Sequence, residues 1–120
     1  MVLVVILTVR SEALEQFRAF ETRAAAIMAR HGGAIERTVV VPPRGDGELL
    51  REIHIVRFPD ERAFSAYRND RDLAEVAHLR EASVARAEML IGDDGPDYLA
   101  GHRSGTATSQ PEGQAPAPRG

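Results

Sequence analysis

The sequence predicts an α+β domain with the ferredoxin-like order β-α-β-β-α-β, in which a four-stranded antiparallel sheet carries helices on one face. Three observations predict this class. Four segments have the apolar, β-branched composition of strands, and the segments after the first and third of them have apolar residues at helical spacing. A polar stretch with Pro and Gly joins the second and third strand candidates as a hairpin. The first strand candidate, MVLVVILTV from Met1 to Val9, is apolar on both of its faces.

The first half of the chain supplies one strand, one long helix and a second strand. Ser11 follows Met1–Val9 as a helix N-cap, and apolar residues recur at helical spacing to His31, where Gly32-Gly33 ends the pattern. This predicts an amphipathic helix from Ser11 to His31. AIERTVVV, residues 34–41, is rich in β-branched residues and ends at Pro42-Pro43, so it is predicted to be the second strand.

The second half repeats the order strand, helix, strand. LLREIHIVRF, residues 49–58, is the third strand candidate, and Pro59-Asp60 begins a helix with Ala63, Phe64 and Tyr67 on one face. Residues 68–70 interrupt this helix, and residues 72–82 resume it. VARAEMLIG, residues 84–92, suits a final strand. We therefore expect a folded domain over residues 1–95.

Residues 101–120 have a different composition. They hold Gly, Pro, Ser, Thr, Gln and Ala without one large apolar side chain. Such a segment buries too little surface to offset its ordering entropy, so a disordered tail is predicted.

Composition excludes several chemistries. The chain has no Lys and no Cys, which removes lysine Schiff bases, thiol nucleophiles and cysteine-ligated metal sites. A net charge of -3 without a long basic stretch argues against nucleic acid as a partner. The opening apolar run is too short to span a membrane and lacks the basic flank of a secretory signal. We expect a cytoplasmic protein with no membrane partner, no cofactor and no metal.

The two apolar faces of Met1–Val9 predict an interaction surface. Helices on one side of the sheet cover one face only, and a large apolar patch left on the other marks an interface. We expect four more apolar side chains to enlarge that patch: Val40, Val56, Phe58 and Leu90. A second copy of the chain, packed sheet to sheet, is the simplest cover, so we expect a homodimer. The alternative is that the tail folds back over the first strand.

The run from His54 to Asp94 resembles the dimeric α+β barrel superfamily, and within it the domain of unknown function 1330 group. The shared features are Phe58-Pro59, the Ala-rich helix from Ala63 to Tyr67, the pair Leu79-Arg80, and Ala82. Residues 69–71 depart from the Ser-Pro-Glu-Tyr expected at that break. The resemblance implies the ferredoxin-like fold and a dimer, and it extends more distantly to the antibiotic biosynthesis monooxygenases.

Strand parity gives a hypothesis for polar groups. If Ile53 and Ile55 face the helices, then Glu52 and His54 face the dimer side. The same rule places Arg86 and Glu88 of the last strand on the dimer side, where the four side chains form a cluster: Glu52, His54, Arg86 and Glu88. A cluster of this kind is either an ion-pair network or a site for a small polar ligand.

Three residues are the candidate catalytic groups. His54 suits proton transfer because histidine is the side chain that exchanges protons near neutral pH, Arg80 suits an anionic or enolate oxygen, and Tyr67 suits hydrogen-bond donation. Arg80 has an alternative role as the ion-pair partner of Asp70 or Asp72, and Tyr67 as a core aromatic. His78 is expected to be a surface or packing residue.

Two functions are compatible with these residues. One is a cofactor-independent monooxygenase or isomerase that acts on a small organic molecule. The other is a non-catalytic homodimer that binds a small ligand or has a structural role.

Overall fold

A computed structural model describes residues 1–99, and the predicted tail at 101–120 lies outside the described residues. The elements follow the predicted order, with the second helical region divided into three short helices. They are β1 (Val2–Val9), a 3-10 turn (Ser11–Ala13), α1 (Leu14–Arg30), β2 (Ala34–Val41), β3 (Leu50–Arg57), α2 (Glu61–Arg68), α3 (Arg71–Glu75), α4 (Ala77–Ser83) and β4 (Val84–Gly92). The predicted fold class, α+β with a ferredoxin-like sheet, is confirmed.

The four strands form one sheet in the order β2-β3-β1-β4, and every neighbouring pair is antiparallel. β1 is therefore a central strand, which explains why it carries no charge. Its side chains point to both faces of the sheet, and its two edges are hydrogen-bonded to β3 and β4.

The helices pack on one face of the sheet, which we call the helix face. From β1 it receives Leu3, Leu7 and Val9, all buried, and the half-buried Val5. Phe17 of α1 packs against Leu7 and Val9, while Phe58 and Phe64 pack with Leu3 at the other end. The helix face thus holds the core.

Helix ends follow from local chemistry. Asp60 caps α2 by accepting a hydrogen bond from the Ala63 amide at 2.8 Å, and Asp70 caps α3 by accepting one from the Asp72 amide at 2.8 Å. His31, at the end of α1, lies 2.8 Å from the second carboxylate oxygen of Asp70. This contact ties the end of α1 to the break between α2 and α3.

The opposite face of the sheet is the outer face. It carries Val2, Val4, Ile6 and Thr8 of β1, Ile53 and Ile55 of β3, Val39 of β2, and Arg86, Glu88 and Leu90 of β4. Val4 and Ile6 at its centre are half-buried, and Leu90 is 63% exposed.

The predicted parity of β3 is wrong. Val56, Phe58, Glu52 and His54 are buried on the helix face, while Ile53 and Ile55 are on the outer face. The register explains this, because Leu3 lies opposite Val56 and Leu7 opposite Glu52. Residues directly opposite each other share a face, so β1 fixes which side of β3 meets the helices.

The four-residue polar cluster proposed from that parity does not form. Glu52 and His54 lie on the helix face, whereas Arg86 and Glu88 lie on the outer face opposite Thr8 and Ile6. The Arg86 guanidinium is 3.5 Å from the Glu88 carboxylate, and both side chains are at least half exposed. Val56 and Phe58 likewise do not belong to the uncovered patch, and Val40 lies opposite Glu52 on the helix side.

Candidate active site

A cavity of about 430 Å³ lies between the helix face and the helices. Its wall is mostly apolar, with a few polar groups converging on it, which is the usual character of a small-molecule site. The apolar lining includes Leu3, Val5, Leu7, Phe20, Met28, Val56, Phe58, Phe64, Leu73, Ala87 and Met89, and the polar lining is Glu21, His54, Tyr67, Arg68, Arg80 and Glu88.

His54 is the buried polar group of the sheet wall. It is 4% exposed, and its Nε2 lies 2.8 Å from Oε1 of Glu52, which is 5% exposed. Arg18 of α1 lies 3.4 Å from the other carboxylate oxygen of Glu52, with its own side chain half exposed. These contacts satisfy two groups whose burial without partners is costly. In the tautomer that donates Nε2–H to the Glu52 carboxylate, Nδ1 is the ring nitrogen able to accept a proton.

Glu21 of α1 faces that second nitrogen. Its Oε1 lies 3.7 Å from Nδ1 of His54. Burial raises the pKa of the Glu21 carboxyl above its usual range, although the neighbouring His54 and Arg80 act in the opposite direction. His54 is thus placed between two carboxyl groups, Glu52 within hydrogen-bond distance and Glu21 with a pKa that burial raises.

Tyr67 of α2 provides a phenol on the helix side of the cavity. Its ring lies 5.4 Å from the Phe58 ring, centroid to centroid. Burial raises the pKa of Tyr67 to about 12, with the Glu21 carboxylate as a second cause. The hydroxyl therefore stays protonated and able to donate a hydrogen bond throughout the neutral and alkaline range.

The raised pKa of Tyr67 predicts a titration that absorbance measures directly. The chain has two tyrosines, so Tyr98→Phe leaves Tyr67 as the one phenol. We expect its midpoint near 12 in the folded protein, against about 10 for an unfolded chain. Because the folded state holds the proton more tightly, stability should fall as pH rises from about 10 towards 12. A midpoint of about 10 in the folded variant would contradict the burial of this hydroxyl.

Arg80 of α4 borders the same cavity and acts electrostatically on both Glu21 and Tyr67. The alternative that Arg80 bridges to Asp70 or Asp72 is wrong. Arg30 of α1 takes that place, with its guanidinium 2.8 Å from Asp72 and 3.7 Å from Asp70.

The three predicted catalytic candidates therefore line one cavity, although His54 reaches it by the face opposite to the one expected. Glu21 is the residue that the sequence reasoning missed. A signal was present: the buried positions 17, 20, 24, 27 and 28 define the inner stripe of α1, and residue 21 lies inside that stripe as a carboxylate. His78 is exposed and does not line the cavity.

Within residues 1–99, no group of three His, Asp or Glu side chains is arranged to hold a metal ion. No helix in this part of the chain is both long enough and apolar enough to cross a bilayer.

The fold and the cavity define the class: a small ferredoxin-like α+β domain with a ligand-sized pocket between sheet and helices. The sequence model of the family described as Domain of unknown function (DUF1330) matches residues 4–93. The chain belongs to this family, as the features around Phe58-Pro59 and Leu79-Arg80 indicated.

Solved structures share the fold. SnoaB, a cofactor-independent oxygenase from Streptomyces nogalater, is 20% identical, with a TM-score of 0.53 over 78% of this chain and 93% of that one. A protein of unknown function from Rhodopseudomonas palustris is 16% identical, with a TM-score of 0.61 over 79% and 83%. An antibiotic biosynthesis monooxygenase is 13% identical, with a TM-score of 0.56 over 80% and 100%. No curated protein matches the sequence.

Proposed function

We propose that this protein is a cofactor-independent enzyme, a monooxygenase or an isomerase, that moves a proton on a small organic molecule bound in the cavity. The observation that carries the proposal is His54, a buried imidazole at the cavity wall whose Nε2 is held by Glu52 at 2.8 Å. A carboxylate that fixes the tautomer and orientation of an imidazole is the arrangement of a general base. The fold shared with SnoaB supports the oxygenase reading by analogy.

Each polar group then has a role. His54 Nδ1 removes a proton from carbon or oxygen of the substrate, and Glu52 stabilises the imidazolium that forms. Arg80 and the Tyr67 hydroxyl stabilise the negative oxygen of the resulting enolate or phenolate, because cations and donors in an apolar wall act where charge develops. An isomerase returns the proton to a different atom.

The oxygenase reaction balances without an external reductant. A substrate CH₂ group and O₂ give a C=O group and water, with the electrons supplied by the substrate. His54 is needed in either case to form the electron-rich anion.

The test is solvent exchange. A panel of 1,3-dicarbonyl compounds and dihydroxynaphthalenes is incubated in D₂O, and loss of the acidic C–H signal is followed by NMR while an oxygen electrode records O₂ uptake. We expect His54→Gln to slow the enzyme-dependent exchange by about 10²–10⁴-fold, the usual contribution of a general base. His78→Gln is the matched control, because His78 is exposed and away from the cavity. Equal rates for wild type and His54→Gln would refute the proposal.

A non-catalytic ligand-binding protein is the second candidate. The observation that favours it is the completeness of the network from Arg18 through Glu52 to His54, which satisfies buried polar groups without requiring a reaction. This reading expects no exchange with any probe and unchanged ligand affinity in His54→Gln.

We also propose that two copies of the chain pair through their outer faces. The supporting feature is an apolar centre, Val4, Ile6, Ile53 and Ile55, bordered by charged side chains such as Arg86 and Glu88. An apolar centre with a polar rim is the usual arrangement of a protein interface. Pairing would remove from water the second face of β1.

A further inference from the structure

The wall of the cavity has donors without acceptors. Arg68, at the end of α2, and Arg80 of α4 both border the cavity, yet within residues 1–99 neither makes an ion pair. The Arg68 guanidinium carbon lies 5.4 Å from the centroid of the Phe64 ring, so the cation rests on an aromatic that is itself part of the cavity wall. Tyr67, which directly precedes Arg68 in the sequence, adds a protonated hydroxyl to the cavity wall.

The charged side chains that face the cavity sum to a positive charge. Glu88 also borders the cavity, but its side chain lies on the outer face, where its carboxylate is 3.5 Å from the Arg86 guanidinium. Glu21 is then the carboxyl group that balances Arg68 and Arg80, and burial favours its neutral form. With Glu21 ionised the three groups sum to +1, and with Glu21 protonated to +2. An anion bound here would therefore gain in both states.

We infer that the cavity takes a small carboxylic acid with an aromatic or otherwise apolar body, its carboxylate beside Arg68 and Arg80. A planar carboxylate matches the fork of N–H donors on a guanidinium, and Tyr67 supplies a further donor. The body then lies along the apolar wall formed by residues such as Phe20, Phe64 and Leu73. The inference deepens the proposed function, on which it rests in one respect: the acid is the substrate of that cavity, so Arg80 and Tyr67 contact its carboxylate as well as the oxygen on which charge develops.

Isothermal titration calorimetry with matched probes tests the inference on the full-length protein. The probes are 1-naphthoate and its neutral analogue 1-naphthamide, which share one ring system and differ in charge. We expect wild type to prefer the acid by about tenfold, the effect of one charge-assisted hydrogen-bonded pair partly screened by water. Added salt should reduce the preference, because the arginines are exposed at the mouth.

Variants assign the preference to its residues. Arg80→Gln and Arg68→Gln should each lower the acid-to-amide preference, and Arg80→Lys should retain part of it. Arg62→Gln is the matched control, since Arg62 is an exposed arginine of α2 that does not border the cavity. Circular dichroism checks that each variant is folded.

The outcomes separate this inference from the proposed catalysis. If acid and amide bind equally, or if neither binds, the inference is wrong, whereas proton exchange dependent on His54 still supports the enzyme. If the acid preference follows Arg80 and Arg68 but His54→Gln exchanges protons like wild type, the ligand class stands and the assigned base is wrong.

Discussion

Replacing Gly33 with alanine is expected to destabilise the folded protein by about 3 kcal/mol, the upper range for overpacking a filled core. Gly33 is buried where α1 ends and the chain turns into β2. A methyl group there would lie 2.4 Å from Cε1 and 2.6 Å from Cζ of Phe58, and 2.7 Å from Cγ of Met28. Phe58 is 1% exposed and packs against the Phe64 ring at 5.3 Å, so its ring has little room to withdraw.

The matched control is Gly45→Ala, because a methyl group at Gly45 meets nothing within 4 Å. Urea unfolding followed by circular dichroism gives both free energies. Shortening the obstructing ring in Gly33→Ala/Phe58→Leu should recover part of the loss relative to the sum of the two single changes, since the two residues are in contact. Additive effects, or a Gly33→Ala variant as stable as Gly45→Ala, would show that the close approach of Gly33 to Phe58 is absent in solution.

The same change reaches the candidate site. Phe58 and Met28 both line the cavity, so any side chain displaced by a methyl group at Gly33 moves into or along its wall. Gly33→Ala should consequently weaken binding of an apolar ligand more than Gly45→Ala does. The glycine that ends α1 thus connects the helix terminus to the shape of the pocket.

The sequence predicted the order of elements well because each has its own local signal. The charge-free run of β1, the inner stripe of α1 and the Pro-Gly hairpin are all readable within a few residues. The predicted N-cap at Ser11 is wrong, because Ser11–Ala13 form a 3-10 turn and α1 begins at Leu14 without a side-chain cap. The second helical region was predicted to break at residues 68–70, and the structure adds a second break at Val76, where α3 gives way to α4. Val76 is fully buried, so this second break accompanies tertiary packing rather than a helix-breaking residue in the local sequence.

The face of β3 was not predictable in the same way. One side of β3 carries Ile53 and Ile55, and the other carries Glu52 and His54 together with Val56 and Phe58. Hydrophobicity alone favours the side with the two isoleucines as the one that meets the helices. The pairing Leu7 to Glu52 and Leu3 to Val56 decides the matter, and it is a contact between residues about fifty positions apart. The polar pair is tolerated inside because His54 and Glu52 bind each other at 2.8 Å.

The residue types of the candidate site could be predicted from the sequence, but their proximity in space could not. His54, Tyr67 and Arg80 come from a strand and two helices, and only the fold brings them around one cavity. Glu21 was missed although its place in the α1 stripe is visible in sequence, because a carboxylate among apolar positions reads as an interruption until His54 is found opposite it.

Replacing Val4 with arginine is expected to separate a wild-type dimer into monomers. Val4 lies at the centre of the outer face, opposite Ile55 on one side and Leu90 on the other. In a two-fold interface each substitution occurs twice, so two unpaired charges are buried. Each costs about 3–5 kcal/mol, which weakens dimerisation by about 10⁴-fold or more.

Size-exclusion chromatography with light scattering, run over a range of concentrations, measures this directly. The folded monomer should tolerate the change, because the arginine at position 4 points to water once the partner is gone. Ala26→Arg is the matched control: Ala26 is exposed on α1, on the far side of the core from the outer face, and its replacement should leave the dimer intact. A monomeric wild type would contradict the proposed interface, and a Val4→Arg protein that still dimerises would place the contact elsewhere.

The cavity lies on the helix face, so dissociation by Val4→Arg should leave ligand binding in the cavity unchanged. This result would separate the role of the outer face of β1 from that of its helix face.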